Sequence, residues 1–573
     1  MKLDYKLKIE DPKTHYVAVS LTVARPTGVD SLRFFLPSWS PGSYLMREYA
    51  RHVRKPRALN AGGEFLDLIQ IDKGVWEVSW KKNPPKGDAQ SVTFSYEVYC
   101  HELTVRTSHV DSSHAFIHGP SVFVGVEGHD GEVSLAINFP PLWSKISTGL
   151  KDISPTRGEF LYSAPDYDTF IDAPIEIGCH DTNGFRVGGL DHEVAFYGEP
   201  LPHKEKILAD MKTIVETVSG IMKEIPYDRY VFITHLVPGK YGGLEHLNST
   251  ALQYSPLDWQ NRKGYLQWLA LVAHEYFHTW NVKRIRPQEL GPFDYQKEAM
   301  TSLLWLAEGL TSFMDELFVL RSGLCTMEEY LDMQKANLNR YIGTPGRLFH
   351  SLEDSSFNSW IKLYRPDENS NNSSVSYYLK GGIAFFVLNA YFTQKGVKVD
   401  AFLDKLWARY KANPKLGTNR EEVFALVEEM GGKEARDVFE NMVCTTQEIS
   451  LEAELSKMGL SLEWDASDAP YIGANVDFDG DRAIVKSVVL DSPAMKGGLN
   501  ADDEIIALNG MRILRKEWQD IAKALMHETS YRLTVSRLNR LCEIEVTPGR
   551  APKTIKAIKI VDNDLAKRTF LVI

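Results

Sequence analysis

His274-Glu275-Tyr276-Phe277-His278 lies inside the apolar-rich segment 265–280, and the reading of these five residues decides what the rest of the chain must build. At about 100° per residue, positions four apart lie roughly 40° from one another on a helix, so both imidazoles leave one face about a turn apart. Two nitrogen ligands at that separation suit a tetrahedral Zn²⁺. Glu275 points to a neighbouring part of the same face, where its carboxylate can take a proton from a water that the metal acidifies. The chain holds 16 histidines in 573 residues. Chance would place roughly 0.03 such patterns in it, so an accidental match is the minor alternative.

A catalytic zinc needs a third protein ligand and an open fourth position. Glu308, in Trp305-Leu306-Ala307-Glu308-Gly309-Leu310, is the best candidate, because it stands on the next long helical pattern after the motif. A loop containing Pro287, Gly291 and Pro292 lets the two helices pack antiparallel. An exposed helix glutamate is the alternative, against which its apolar flanks argue. Asp315, seven residues on, either orients a ligand histidine or is a surface carboxylate.

Around this centre the patterning changes twice. From Tyr5 to about Asp172, alternating runs such as Tyr16-Val17-Ala18-Val19-Ser20-Leu21-Thr22-Val23 recur between Gly, Pro and Asp turns, which predicts a β-rich first domain. Helical spacing takes over in 204–223, 264–286, 297–321, 401–413 and 420–443, with the Asn/Ser-rich stretch 368–376 expected as an exposed loop. Beyond about Gly459 the β pattern returns. The expected fold class is therefore multidomain α+β, with a β-rich domain at 1–172, a mainly helical domain at 173–456, a small β domain at 457–550 and a tail at 551–573.

With 43% hydrophobic residues the chain can fill several cores. Its net charge of -11 is spread along the sequence without a basic block, which argues against nucleic acid as a partner. Met1-Lys2-Leu3-Asp4-Tyr5-Lys6-Leu7-Lys8 lacks the uninterrupted apolar core of a signal peptide, and no later run approaches a membrane span. The expectation is a cytoplasmic protein without membrane contact, or a periplasmic one if a leader was removed. Cys100, Cys179, Cys325, Cys444 and Cys542 are odd in number and form no CxxC pair, so they read as buried thiols.

The run from His274 through Thr279-Trp280-Asn281-Val282-Lys283-Arg284-Ile285-Arg286-Pro287, followed by Trp305-Leu306-Ala307-Glu308-Gly309, resembles the glycyl aminopeptidase family of PDZ-bearing zinc metallopeptidases. The likeness continues in Ser38-Trp39-Ser40-Pro41-Gly42-Ser43-Tyr44-Leu45, Arg51-His52-Val53 and Leu103-Thr104-Val105-Arg106-Thr107. It implies a β-sandwich first domain, a thermolysin-like catalytic domain, and Glu308 as the third ligand of one zinc per chain. Gly242-Gly243-Leu244-Glu245-His246 resembles the GxMEN motif of the related aminopeptidase N family, departing from it at Leu244 and His246. In that motif the glycines admit an extended substrate and the glutamate, here Glu245, holds the free α-amine. Tyr378-Leu379-Lys380-Gly381 resembles the YxKG motif whose tyrosine stabilises the oxyanion, with Tyr378 favoured over Tyr377 by its distance from the lysine.

The C-terminal stretch Ile484-Val485-Lys486-Ser487-Val488 through Asn509-Gly510 looks like a PDZ domain of the bacterial protease type, with Tyr471-Ile472-Gly473-Ala474 as its carboxylate-binding loop. Such a domain either binds a peptide by strand addition or only packs against the catalytic domain. His101, His109, His114 and His118 read as structural or surface residues in a β-rich stretch, and Lys283-Arg284-Ile285-Arg286 as a complement to the C-terminal end of the motif helix dipole. The favoured function is a zinc aminopeptidase removing glycine or another small residue from peptides with a free N-terminus. The alternatives are a zinc endopeptidase, or a non-catalytic PDZ adaptor with a structural zinc site. Structural sites are usually closed by four protein ligands, and this sequence offers three beside a glutamate placed as base.

Overall fold

The computed structural model describes residues 1–25, 28–82, 91–156, 158–199, 204–465 and 468–571. They form two compact units, one of residues 1–299, 322–324 and 404–417, the other of residues 300–321, 325–403 and 418–573.

The first unit opens with an eight-stranded sheet. Strand Tyr16–Ala24 buries every second residue and pairs antiparallel with Ser91–Tyr99, from Tyr16 opposite Tyr99 to Ala24 opposite Ser91. That period of two puts Val17, Val19, Leu21 and Val23 on one face, where they join Tyr5, Phe34, Trp76 and Phe94 in a single core with two further four-stranded sheets. A five-stranded mixed sheet follows in the order Asp181–Val187, Leu190–Tyr197, Arg229–Leu236, Ser249–Tyr254, Tyr241–Glu245. Tyr241–Glu245 is its edge strand, antiparallel to Ser249–Tyr254 with Gly243 opposite Leu252 and Glu245 opposite Thr250. Helix Arg262–Phe277 begins at Asn261, whose side chain accepts the Gly264 N–H at 2.7 Å, an ordinary N-cap.

In the second unit the organising element is helix Tyr377–Gln394, with 13 buried residues. A helix apolar on all sides needs neighbours on all sides, and Leu310–Arg321, Arg420–Gly431 and Lys433–Cys444 are among those it has. The C-terminal sheet runs Ala474–Asp479, Arg482–Val488, Glu504–Leu508, Tyr531–Arg537, Arg540–Val546, around a small core of its own.

Four local expectations need correction. The motif helix stops at Phe277, not near 286: His278 caps it, and the chain folds back so that Lys283 N–H bonds the His278 carbonyl at 3.1 Å. The pattern at 297–321 is helical only late, as a π-helical turn Trp305–Gly309 leading into Leu310–Arg321. The 368–376 stretch is not a free loop. It carries a helical turn, Ser370–Ser373, in which buried Asn372 donates to Val488 O and accepts from Leu490 N–H, each at 2.8 Å. Lastly, of the expected tail 551–573, residues 572 and 573 lie outside the described residues and the rest is no tail, because Thr554–Ile560 pairs antiparallel with Leu460–Asp465 and helix Asn563–Phe570 buries Ala566, Thr569 and Phe570. Those three residues at helical spacing make one buried face, and Phe570 stacks on Phe386 with ring centroids 5.7 Å apart.

Candidate active site

The first unit assembles most of the expected groups. His274 and His278 put their ring centroids 4.6 Å apart, nearly perpendicular, with ligand nitrogens within 4.8 Å of each other. His278 donates its Nδ1–H to the Asn281 carbonyl at 2.5 Å, a bond made possible by the helix ending there. That fixes the tautomer and leaves Nε2 with its lone pair, which is how metal-ligating histidines are held. Two imidazoles so placed fit a zinc ion.

Glu275 and Glu245 close on the same point: Glu245, Glu275 and His278 are all buried, each with a ligand-type atom within 4.8 Å of the others. The edge strand explains why two glycines precede Glu245. A Cβ on Gly243 would collide with the Glu275 carboxylate, and Gly242 has φ +152°, a conformation side chains rarely adopt. The strand is held from outside by Arg106, whose guanidinium donates to the Gly243 carbonyl at 3.2 Å, and by Gln253 donating to the Leu103 carbonyl at 3.0 Å. These bonds are the structural role of the 103–107 segment.

The 38–45 segment supplies a wall. Trp39 Nε1–H bonds the Asp294 carbonyl at 2.9 Å, Ser38 N–H bonds the Tyr295 carbonyl at 2.8 Å, and Gly42, at φ +83°, lies so near Glu245 that a Cβ would strike its carboxylate. Glu245 is 4% exposed, and its Oε1 has no hydrogen-bond partner among the described residues. It borders a cavity of about 190 Å³ lined by Trp39, Tyr44, Ile171, Val282 and Phe293.

Sequence reasoning missed Asp172. It accepts from Lys283 Nζ at 2.6 Å, Leu247 N–H at 2.7 Å and His246 Nδ1 at 3.4 Å. Burial alone would raise its pKa, but the Lys283 and His246 charges hold it well below the carboxylate range. The basic run also clamps the fold: Lys283 pairs with Asp172, and Arg284 donates to the Thr279 carbonyl just beyond the helix end and to the Leu247 and Pro226 carbonyls. No spacing rule would have joined residues 111 positions apart.

The second unit places Glu308 in the π-helical turn, 2% exposed. Such turns are frequent at functional sites because they displace one residue from the helical ladder. Gly309 and Gly381 face one another so closely that a Cβ on either would hit the other's backbone, which explains the glycine ending both motifs. Tyr378 is half-buried while Tyr377 is 0% exposed, and their rings stack at 4.8 Å. Burial first and the Glu308 charge second push the Tyr378 hydroxyl well above its usual pKa, so it stays a donor. Lys380 is pushed down to about 8 by burial and donates to the Thr445 carbonyl at 3.1 Å, a structural tie. Asp315 lies buried beside Glu316, whose carboxyl is pushed up to about 8 by burial and by Asp315. Just before the first strand of the C-terminal sheet, Gly473 has φ +77°, and its carbonyl accepts from Val489 N–H at 2.8 Å.

An imidazole pair, a carboxylate beside it and a glycine-rich edge strand are the parts of a metallopeptidase. Residues 267–384 match the M61 glycyl aminopeptidase family, residues 4–179 the peptidase M61 N-terminal domain, and residues 484–537 a PDZ domain. The chain belongs to the M61 glycyl aminopeptidase family. It is similar to the crystal structure of an aminopeptidase N family protein from Idiomarina loihiensis, with 28% identity, coverage of 99% of this chain and 100% of that one, and a TM-score of 0.93. An M1 zinc metallopeptidase from Deinococcus radiodurans shares the fold at 14% identity and a TM-score of 0.50, with 79% of this chain and 95% of that one covered. No curated protein matches in a sequence comparison. No helix among the described residues is long and apolar enough to cross a membrane.

Proposed function

We propose that the chain is a zinc aminopeptidase acting on peptides with a free N-terminus, with one catalytic zinc per chain held by His274, His278 and Glu308. The observation that carries the reading is Glu245: a buried carboxylate with an unpartnered oxygen, within 4.8 Å of groups on Glu275 and His278. A carboxylate left bare in a partly dehydrated site favours a cationic partner, and a substrate's terminal ammonium supplies one. The bound zinc would polarise the scissile carbonyl and acidify the attacking water.

The protein's own groups do the rest. Glu275 takes the water's proton on a carboxylate oxygen and passes it to the leaving amine nitrogen. The Tyr378 O–H donates to the oxygen that becomes negative. Backbone of Gly242 and Gly243, without side chains in the way, pairs with the substrate as an added strand. Glycine or another small residue is the proposed N-terminal preference, following the family. Segments 1–172, 173–456 and 457–550 remain the proposed domains, and a peptide ligand for the PDZ domain is a further proposal.

An endopeptidase on the same chemistry would ignore the terminal charge, and an adaptor would cleave nothing. Free and N-acetylated versions of one peptide separate the three readings: cleavage of the free form alone is expected, equal cleavage would leave only a zinc endopeptidase, and no cleavage by zinc-loaded protein would favour the adaptor.

A further inference from the structure

Among the described residues a second group of ligating side chains stands in the first unit, on the hairpin His109–Val110 and His114–Ile117. The two strands pair antiparallel with Val110 opposite Ala115, which draws His109 and His114 together across the turn that Asp111 begins. Asp111 Oδ1 is fully committed: it accepts Ser113 N–H at 2.7 Å, Ser113 Oγ–H at 2.5 Å and His114 N–H at 3.2 Å. Its other oxygen, Oδ2, faces His109 Nε2 at 3.2 Å. His109, Asp111 and His114 each present a ligand atom within 4.8 Å of the others.

His114 is prepared from behind. Its Nδ1–H donates to Glu176 Oε1 at 2.6 Å, and Glu176, itself 0% exposed, accepts His235 Nε2–H on its other oxygen at 2.9 Å. The proton therefore sits on Nδ1, and the lone pair is on Nε2. That nitrogen is buried without a hydrogen-bond partner among the described residues, as is Nδ1 of His109. A buried carboxylate orienting an imidazole whose opposite nitrogen is bare is the arrangement proteins use behind metal ligands. The spacing fits as well. Ligands about 2.0–2.1 Å from a tetrahedral ion lie about 3.3 Å apart, and two imidazoles sharing it put their centroids about 5 Å apart. Here the rings are 5.2 Å apart, while the 3.2 Å between Oδ2 and Nε2 is the hydrogen bond that His109 donates to Asp111, which leaves Nδ1 as the ligand atom of His109.

We propose that His109, Asp111 and His114 form a second metal site, for a divalent transition ion of the kind imidazole and carboxylate share, Zn²⁺ first. Glu176 and His235 are its positioning residues. The Asp111 side chain is 34% exposed, so the ion has an entrance and a water completes its coordination. Because one oxygen of Asp111 is already held by three donors, this ion binds more weakly than the one at the helix motif and exchanges first.

The test is zinc titration of the full chain, stripped of metal, against a chromophoric chelator. The wild type should bind two ions per chain. His109→Ala and the nearly isosteric Asp111→Asn should each bind the tighter ion as before and weaken the second by at least 10-fold, with turnover unchanged once the first site is loaded. Glu308→Ala should do the reverse, keeping the hairpin ion. Saturation at one ion per chain in the wild type would overturn the proposal. So would a second ion whose affinity is the same in both hairpin variants, since it would then sit elsewhere.

Discussion

The helix pair His274/His278 and the hairpin pair His109/His114 bring their rings to similar separations, 4.6 and 5.2 Å, by different routes. On the helix the separation follows from four residues of regular backbone. On the hairpin it follows from a strand register and from an aspartate turn. Their surroundings differ just as much. The helix pair has Glu275 and Glu245 beside it and a cavity bordering Glu245, whereas the hairpin carboxylate has one oxygen tied by three donors. An unpartnered oxygen on Glu245 and open space beside it suit a reaction; a tied carboxylate suits holding. The helix site should therefore carry turnover and the hairpin site none.

The sharpest division comes from Glu308→Ala. Loss of one of three proposed ligands should empty the helix site and abolish peptide hydrolysis while the fold and the hairpin ion survive. Metal analysis with circular dichroism reads this, and full retention of the tighter zinc would remove Glu308 from the ligand set. Next in size is Glu275→Gln, which should keep both ions and lose at least about 10²–10⁴-fold in turnover, because an amide cannot accept the proton. Near-normal turnover in zinc-loaded protein would mean that the base lies elsewhere.

Tyr378→Phe should lower kcat by on the order of 10²–10³ with little change in KM, since its hydroxyl acts on charge present only in the transition state. Tyr377→Phe is the control, and a reversal of the two results would move the role by one residue. Glu245→Gln should cost free-amine peptides roughly 10- to 150-fold in kcat/KM, the worth of one charge-assisted bond, and leave N-acetylated peptides unchanged.

How much of this was legible in the sequence follows the same contrast. The motif helix could be read because its geometry is local, and the β-rich first domain because alternation such as that of Tyr16–Ala24 needs only a period of two. Helix ends were less legible: nothing in Thr279-Trp280-Asn281 announces that His278 caps the helix, yet that ending is what frees Asn281 O to hold His278. Contacts made across long separations were invisible. Asp172 reaches Lys283, Asn372 reaches Val488, and Glu176 reaches His235 only after sheets and helices have closed. The four histidines of the first domain read as structural or surface for the same reason, since spacing alone does not reveal that a register with His109 opposite Phe116 brings His109 and His114 to one face. His118 remains so: it is buried, its two ring nitrogens have no hydrogen-bond partner among the described residues, and it is pushed well below its usual pKa by burial and by the His246 charge.

The smallest expected effect tests the hairpin without any metal. In chelator, Asp111→Asn should lower stability by about 1 kcal/mol, the net worth of an ordinary hydrogen bond. The reason is geometric. Asp111 Oδ1 accepts the two backbone N–H groups of Ser113 and His114 together with the Ser113 hydroxyl. An asparagine carbonyl oxygen can keep that position, so the turn survives with weaker, uncharged acceptors. The amide nitrogen must then replace Oδ2 and meet His109 Nε2, where it can donate only if that nitrogen is unprotonated. Denaturant midpoints of the two proteins in chelator measure this difference, and added zinc should widen it, because only the wild type gains the second ion's binding energy. A gap that stays the same with and without zinc would assign Asp111 to the turn alone and leave the helix motif as the one metal centre of the chain.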